Sequence, residues 1–479
     1  MTGVSTTPLI VDLDGTLTPT DTLVESIIQL GKQHPFDLFK LPFWLLKGRA
    51  EFKASIAARS TLPVSNLPYR VELIDYLRIE KQSGRSLILA TAANINIANA
   101  VAAHLDLFDT VLASSENHNL KGSAKLTAIQ QAVGPDFVYA GDSQADLPIW
   151  QAAKSAILVN TSNKVGNTVR KSTPIELEIP ALKLDLKLWL RAMRVHQWFK
   201  NLLLFVPLLT AFSFHDIDRL LAITLAFFAF SFTASATYMG NDLWDLDNDR
   251  AHPRKKHRPF ASAQIPILKG LGLAAVLLIL GLTLAINVSL NFFWMLLLYL
   301  AITTTYTWIL KAYVLIDVIV LSLLYTLRII AGSIAMNIPA SSWLLAFSVF
   351  IFFSLALVKR CSELVTLQQR GQQVTHGRDY RTTDLVVLWP LGVGAALSAV
   401  VVFGLFISAT ETQVRYASPQ GLWLVAIGLI YWLARLWIKT AREEMHDDPL
   451  VFAIRDIGSR LTILAMIVIT LAAHFITLD

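Results

Sequence analysis

From about residue 199 to the end, the chain is a succession of apolar runs, and no other feature restricts its fold as much. About 20 apolar residues carry a helix across the hydrocarbon core of a bilayer, where each backbone amide must be satisfied within the segment. Nine such runs are legible, at about 201–217, 219–240, 267–286, 290–310, 314–335, 342–358, 385–409, 420–438 and 457–477. With 54% hydrophobic and 16% charged residues, the composition excludes a wholly water-soluble protein. The apolar runs begin late, so a water-soluble unit is expected to precede an all-α membrane unit of nine spans. The opening MTGVSTTPLIVDLDGT lacks the basic start and long apolar core of a cleavable signal. A single cysteine, Cys361, excludes an intrachain disulfide framework.

Basic residues sort between alternate loops. If the N-terminus is cytosolic, fourteen Lys and Arg from Arg250 to Arg455 fall in inner connections and only Arg219 and Arg415 in outer ones. That asymmetry predicts an integral inner- or plasma-membrane protein with its soluble unit in the cytosol and its C-terminus outside.

The second and third runs enclose NDLWDLDNDRAHPRKKHRPF, residues 241–260. Asp242, Asp245 and Asp249 stand at i, i+3 and i+7, on one face of a helix. They repel one another at the end of a helix whose dipole disfavours negative charge, an arrangement that a divalent cation neutralises. Mg²⁺, which takes one or two carboxylates and completes its shell with substrate phosphate, suits it. Arg250, Arg254, Lys255, Lys256 and Arg258 follow as donors for phosphate oxygens. The competing reading is a solvated loop against anionic lipid.

More polar residues gather at the same side: Tyr306, Lys311, Asp317, Lys359, Arg360 and Glu363, then Arg378, Asp379, Tyr380 and Arg381. Ionisable groups within or bordering spans are costly and mark a site or a pathway. Asp317 can alternatively form a structural pair with Lys311, and Arg328, deeper in its span, requires a buried partner. Residues 182–200 alternate Leu and Trp with Lys and Arg, which suits a helix lying on the membrane surface. Lys200 and Asn201 are as ready to face the site as the interface. Residues 160–180, polar and closed by Pro180, read as a linker.

Toward the N-terminus, three short apolar runs end in polar residues: 9–11 in Asp12-Leu13-Asp14-Gly15-Thr16, 86–90 in Thr91, and 137–140 in Gly141-Asp142-Ser143-Gln144-Ala145-Asp146. Helical patterns separate them, so an α/β unit with a parallel sheet is expected, its chemistry at the carboxyl ends of the strands.

On those residues, DLDGT, Thr91, a lysine and GDSQAD, the first 160 or so positions resemble the haloacid dehalogenase superfamily. The resemblance implies a Rossmann-like fold with a helical cap over residues 21–80. It implies Asp12 as nucleophile, Asp14 as acid/base, Thr91 and Lys125 (or Lys121) on the phosphoryl group, and Mg²⁺ on Asp12, Asp142 and Asp146. From about residue 185, the NDxxDxxxD motif, the cluster around Asp317 and the helix count resemble the UbiA superfamily of intramembrane prenyltransferases. Within it, the His252-Pro253-Arg254-Lys255 segment, Arg258-Pro259, and Leu321 where many members carry a further aspartate are similar to polyprenyl-phosphate phosphoribosyltransferases.

The domains expected are therefore 1–165, phosphatase-like; 166–198, linker and interfacial helix; and 199–479, transferase. Asn241, Asp242, Asp245 and Asp249 would hold Mg²⁺–diphosphate, with Asp242, Asp245 and Asp249 counted as catalytic. Lys255, Arg258, Lys359 and Arg360 would supply cations to substrate phosphates, with Tyr306, Lys311 and Asp317 as further substrate-binding residues. The implied function is bifunctional: 5-phosphoribose passes from phosphoribosyl diphosphate to a polyprenyl phosphate, and the cytosolic domain removes the 5-phosphate. The alternatives are a prenyltransferase acting on prenyl diphosphate and a cyclic acceptor, and a lipid transporter with a regulatory phosphatase domain. No nucleic-acid partner is expected.

Overall fold

The computed structural model describes residues 7–116, 118–181, 185–371, 373, 378–445 and 448–477. The chain divides into two compact units, Met1–Met193 with Tyr238–Ala275, and Arg194–Thr237 with Val276–Asp479.

The first unit is built on a six-stranded parallel sheet: β1 (Leu9–Val11), β2 (Leu87–Asn94), β3 (Thr110–Ser114), β4 (Val138–Gly141), β5 (Ser155–Val159) and β6 (Ile175–Ile179). Its order is β3-β2-β1-β4-β5-β6. Strands buried on both faces lose the usual alternation, and Leu9, Ile10, Val11, Tyr139, Ala140, Ile157 and Leu158 are all fully buried. The chain winds one way from β1 to β3 and the other way from β4 to β6. The carboxyl ends of β1 and β4 therefore flank the point where the winding reverses, the ligand position in open α/β sheets.

Residues 160–180 are not a linker. They form the helix Asn163–Ser172 and β6, which pairs with β5. Val165 and Val169 of that helix enter the core, and this burial outweighs the polar composition. Helices Thr22–Gln33, Leu41–Leu46 and Arg49–Ala57 lie between β1 and β2 and share a small core of Leu30, Trp44 and Ile56. Of the expected surface helix, residues 186–192 are helical, Leu186–Ala192, and residues 182–184 lie outside the described residues.

The second unit is helical. Among the described residues, the chain has eight helices long and apolar enough to cross a membrane, not nine: Ile217–Trp244, Ile267–Val288, Leu290–Trp308, Ile316–Ala335, Ser342–Gln369, Thr382–Ser408, Pro419–Ala441 and Ile457–Phe475. The first expected span instead forms a 3₁₀ helix, Val195–Phe205, and a five-residue helix, Val206–Thr210. Pro207 lacks the amide needed to continue a helix through that point, and Phe212 turns the chain with φ 51°. Close approach holds this segment: a β-carbon at Gly332 would stand 2.0 Å from the Leu204 carbonyl oxygen.

Arg328 finds its buried partners here, Asn201 Oδ1 at 3.0 Å and Tyr299 Oη at 3.1 Å. The outward face of Ile457–Phe475 is an apolar stripe of Ile457, Leu461, Leu464, Val468, Leu471 and Phe475. A helix that turns its apolar face outward is solvated by lipid rather than water.

Candidate functional site

A cavity of about 600 Å³ opens at the carboxyl ends of β1, β2 and β4 and gathers Asp12, Asp14, Thr91, Lys125, Asp142 and Asp146. The loop after β1 turns at Gly15, whose φ is +79° and whose missing β-carbon leaves room for Asp142; a β-carbon there would stand 2.2 Å from Asp142 Oδ2. Arg70 pins the same turn by donating to the Gly15 and Thr16 carbonyls, each at 3.1 Å. Asp14 accepts from the Thr22 amide at 2.8 Å, which fixes it at the start of the cap.

Lys125 is buried, with Nζ 3.0 Å from Asp12 Oδ1, 3.6 Å from Asp146 Oδ1 and 2.9 Å from Tyr139 Oη. Lys121 lines the cavity but is exposed. Asp146 also accepts from Tyr139 Oη at 2.8 Å and from the Ser143 amide and hydroxyl, each at 3.2 Å.

Asp12, Asp142 and Asp146 each offer an oxygen, and the three lie within 4.8 Å of one another. Burial pushes Asp142 up to about 8, with repulsion from Asp12 and Asp146 adding to it. Burial pushes Asp12 up to about 6, although Lys125 pulls against it. Asp14 is held up to about 7 by burial and by Asp21. For Lys125, burial acts to lower its value, and Asp12 and Asp146 outweigh it, so the ammonium stays charged. One buried ammonium cannot offset four carboxylates, and the raised values of Asp12, Asp14 and Asp142 record the cost of ionising them together. Hard oxygen donors in that state fit a divalent cation such as Mg²⁺.

Two cavity cations escaped the sequence reading. Arg49 and Lys53 stand one turn apart on the helix Arg49–Ala57. Lys53 donates to the Ala92 carbonyl at 2.6 Å and to Asn119 Oδ1 at 3.1 Å. Their i, i+4 spacing was the available signal, but cap residues adjoin no strand-end motif.

In the motif at residues 241–260, Asp242 and Asp249 are buried and face one guanidinium: Arg258 Nη1 lies 3.0 Å from Asp242 Oδ1 and 2.7 Å from Asp249 Oδ2. Lys255 Nζ is 4.0 Å from Asp249 Oδ1. Asp245, at the break between Ile217–Trp244 and Leu246–Ala251, is half-buried. Among the described residues these three carboxylates do not converge as those of the sheet site do. Arg250 is not a free phosphate donor: it pairs with the buried Glu25 at 2.6 Å and donates to the Ala261 carbonyl at 3.0 Å.

In the helical unit, Asp317 is fully buried and accepts from Arg360 Nη2 and Tyr380 Oη, each at 2.5 Å. The partner of Asp317 is thus Arg360 and not Lys311, and the other arm of Arg360 goes to Glu363. Tyr306 and Lys311 are half-buried. Lys200 and Lys359 share Asp448, at 2.9 and 3.6 Å. Asn201 is buried, donating to Ser231 Oγ at 3.0 Å while accepting from Arg328.

Residues 202–473 match the model of the UbiA prenyltransferase family, and residues 9–151 match haloacid dehalogenase-like hydrolases. Protein y4nM of Sinorhizobium fredii is 38% identical over 456 residues, which cover 94% of this chain and 87% of that one. Decaprenyl-phosphate phosphoribosyltransferase of Mycobacterium tuberculosis is 32% identical over 221 residues, 45% of this chain and 72% of that enzyme. Among solved structures, a UbiA homolog from Archaeoglobus fulgidus bound to GPP and Mg²⁺ matches with a TM-score of 0.44 at 18% identity, covering 59% of this chain and 99% of that one.

Proposed function

Because the chain belongs to the UbiA prenyltransferase family and carries a haloacid dehalogenase-like domain, we propose that it is a bifunctional lipid phosphoribosyltransferase and phosphatase. Its membrane domain transfers 5-phosphoribose from phosphoribosyl diphosphate to a polyprenyl phosphate, and its sheet domain, on the cytosolic side, hydrolyses the 5-phosphate of the product. One observation carries this reading. A membrane domain related to decaprenyl-phosphate phosphoribosyltransferases stands in one chain with a carboxylate and lysine site suited to phosphomonoesters. The first activity creates the functional group that the second removes.

In the transfer, an oxygen of the lipid phosphate attacks C1 of the ribose while the bond from C1 to diphosphate breaks. Asn241, Asp242, Asp245 and Asp249 are the residues that would hold Mg²⁺ and the diphosphate, and the ion would supply positive charge to the leaving group. Arg258, already between Asp242 and Asp249, and Lys255 meet the same oxygens. Within the helical unit, Tyr306, Lys311, Lys359 and Arg360 are the groups offered to substrate phosphate, and Asp317 holds the Arg360 guanidinium.

In the hydrolysis, an Asp12 oxygen attacks phosphorus and the ribose oxygen leaves with a proton from Asp14. Water then cleaves the aspartyl-phosphate, with Asp14 taking up its proton. Lys125 and Thr91 hold the phosphoryl oxygens, and Arg49 and Lys53 face the ester from the cap. Asp12, Asp142 and Asp146 are the residues that would hold Mg²⁺ there.

The test is to incubate purified Asp12→Asn protein with labelled phosphoribosyl diphosphate, Mg²⁺ and polyprenyl phosphate, then to chromatograph the lipids. A labelled lipid that releases phosphate on phosphatase treatment, and that is lost when Asp242→Asn is added, is the expected result. Absence of labelled lipid, with turnover of prenyl diphosphate and a cyclic acceptor, overturns it in favour of ordinary prenyl transfer.

A further inference from the structure

The segment PFDLFKLPFWLL, residues 35–46, leaves Phe36, Phe39, Phe43 and Leu46 exposed by 81%, 78%, 67% and 86%, with Leu38 and Leu45 also exposed. Of the eight exposed large hydrophobic side chains among the described residues of 7–181, these are six; the others are Val71 and Ile79. The segment is not loose, because Trp44 is buried with Leu30 and Ile56. Its outward side chains point away from a core already made. A water-soluble surface does not carry such a cluster without an occupant. Exposed Lys40, Lys47 and Arg49 flank it, giving the mixture of aromatic, aliphatic and basic side chains found in helices that lie in a lipid interface.

Contacts within the same unit identify the occupant. The helix Thr22–Gln33, which leads into the segment, is fastened to residues just after the spanning helix Ile217–Trp244. Asp247 accepts from Lys32 at 2.7 Å and from Gln29 at 2.5 Å, and Arg250 binds Glu25 at 2.6 Å. The side chains of Leu38 and Trp244 both approach Gly31, 3.3 and 3.6 Å from where a β-carbon would stand. Trp244 is the last residue of the spanning helix, so a segment fixed beside it lies where that helix leaves the bilayer. Leu45 also lines the Asp12 cavity, together with Ile265, Pro266 and Leu268 at the start of another spanning helix. Leu45 of the segment thus belongs both to the exposed cluster and to the lining of the cavity that holds the nucleophile.

We propose that residues 35–46 dock on the lipid surface and that the Asp12 site acts on a phosphomonoester carried by a membrane-embedded lipid. The choice of substrate rests on the phosphatase reading above; the docking does not.

The experiment uses the full chain in nanodiscs of phosphatidylcholine and phosphatidylglycerol. A fluorophore is placed at Phe39→Cys or Phe43→Cys in a Cys361→Ser background, with Arg78→Cys as a control in the sheet domain. Brominated lipid is expected to quench the labels at 39 and 43 and not at 78. Labels quenched only by aqueous iodide overturn the docking, and so do labels shielded from both quenchers, which would mean a second copy or another protein covers the patch. In parallel, the Phe36→Ser/Phe39→Ser/Phe43→Ser protein is expected to dephosphorylate the phosphoribosyl lipid made in situ roughly tenfold more slowly, with para-nitrophenyl phosphate hydrolysis unchanged. Equal loss on both esters overturns the lipid role of the segment. If wild type hydrolyses neither ester while the bromolipid signal persists, the phosphatase reading fails and the docking stands.

Discussion

Gly15 shows how little space separates the working loops of the sheet site. A methyl group there meets Asp142 Oδ2 at 2.2 Å on a backbone with φ +79°. Gly15→Ala is expected to lower phosphatase turnover by about 100-fold, the scale of an ångström-level misplacement, while far-UV circular dichroism and lipid phosphoribosylation are retained. Away from the site, burial acts to raise the Glu176 carboxyl, but bonds from Arg85, Tyr76 and Ser155 outweigh it and pull it down to about 2. A depressed carboxyl contributes stability above its unfolded value, near 4.5, and that contribution disappears as pH falls through about 2. Glu176→Gln is therefore expected to cost about 1–2 kcal/mol at pH 7, after allowance for solvent screening of a partly exposed group. The gap from wild type should close between pH 4.5 and 2, as read by urea midpoints from pulse proteolysis of the sheet domain. In the helical unit, Asp317→Ala removes the buried carboxylate partner of the fully buried Arg360 and leaves it only the partly exposed Glu363. A loss of about 3–5 kcal/mol is expected, visible as a lower melting temperature in detergent, whereas Lys311→Ala should leave stability nearly unchanged.

At the scale of elements, Glu25 and Arg250 join the first cap helix to the segment following a spanning helix, and both side chains are buried, 1% and 6% exposed. Either single substitution leaves a buried charge without its partner. A double-mutant cycle of Glu25→Gln and Arg250→Met is expected to show about 1–3 kcal/mol of coupling, with faster hydrogen exchange in Thr22–Gln33 for each single variant. Sequence showed Arg250 only as one cation in a basic run, because a partner 225 residues away leaves no trace in local pattern. The same limit governed two whole elements. Residues 160–180 have a loop's composition yet complete the sheet, since β6 needs one covered face and a neighbour, not a continuous apolar run. Residues 201–217 are apolar enough for a span, yet Pro207 and the turn at Phe212 break them into short pieces.

For the whole molecule, the count of basic residues gives a direct test of orientation. In a Cys361→Ser background, Lys256→Cys and Arg415→Cys are expected to react with a membrane-impermeant maleimide from opposite faces of sealed vesicles, position 256 from the cytosolic face. Reaction of both from one face would reverse the assignment for one of the two loops and remove the basis for a cytosolic phosphatase.

The sequence alone determined that an α/β unit precedes a helical membrane unit, and it located the motifs of both. Sheet strands and spanning helices announce themselves by apolar runs of characteristic length, and the polar residues at their ends then fall where the fold must present them. Asp12, Thr91 and Asp142 were legible for that reason. Tertiary structure alone decided which charges meet: Lys125 rather than Lys121 against Asp12, Arg360 rather than Lys311 against Asp317, and Arg250 with Glu25. It alone brought Arg49 and Lys53 over the cavity and left Phe36, Phe39 and Phe43 uncovered. Pairing and exposure depend on distances between residues remote in the chain, and local periodicity carries no information about those.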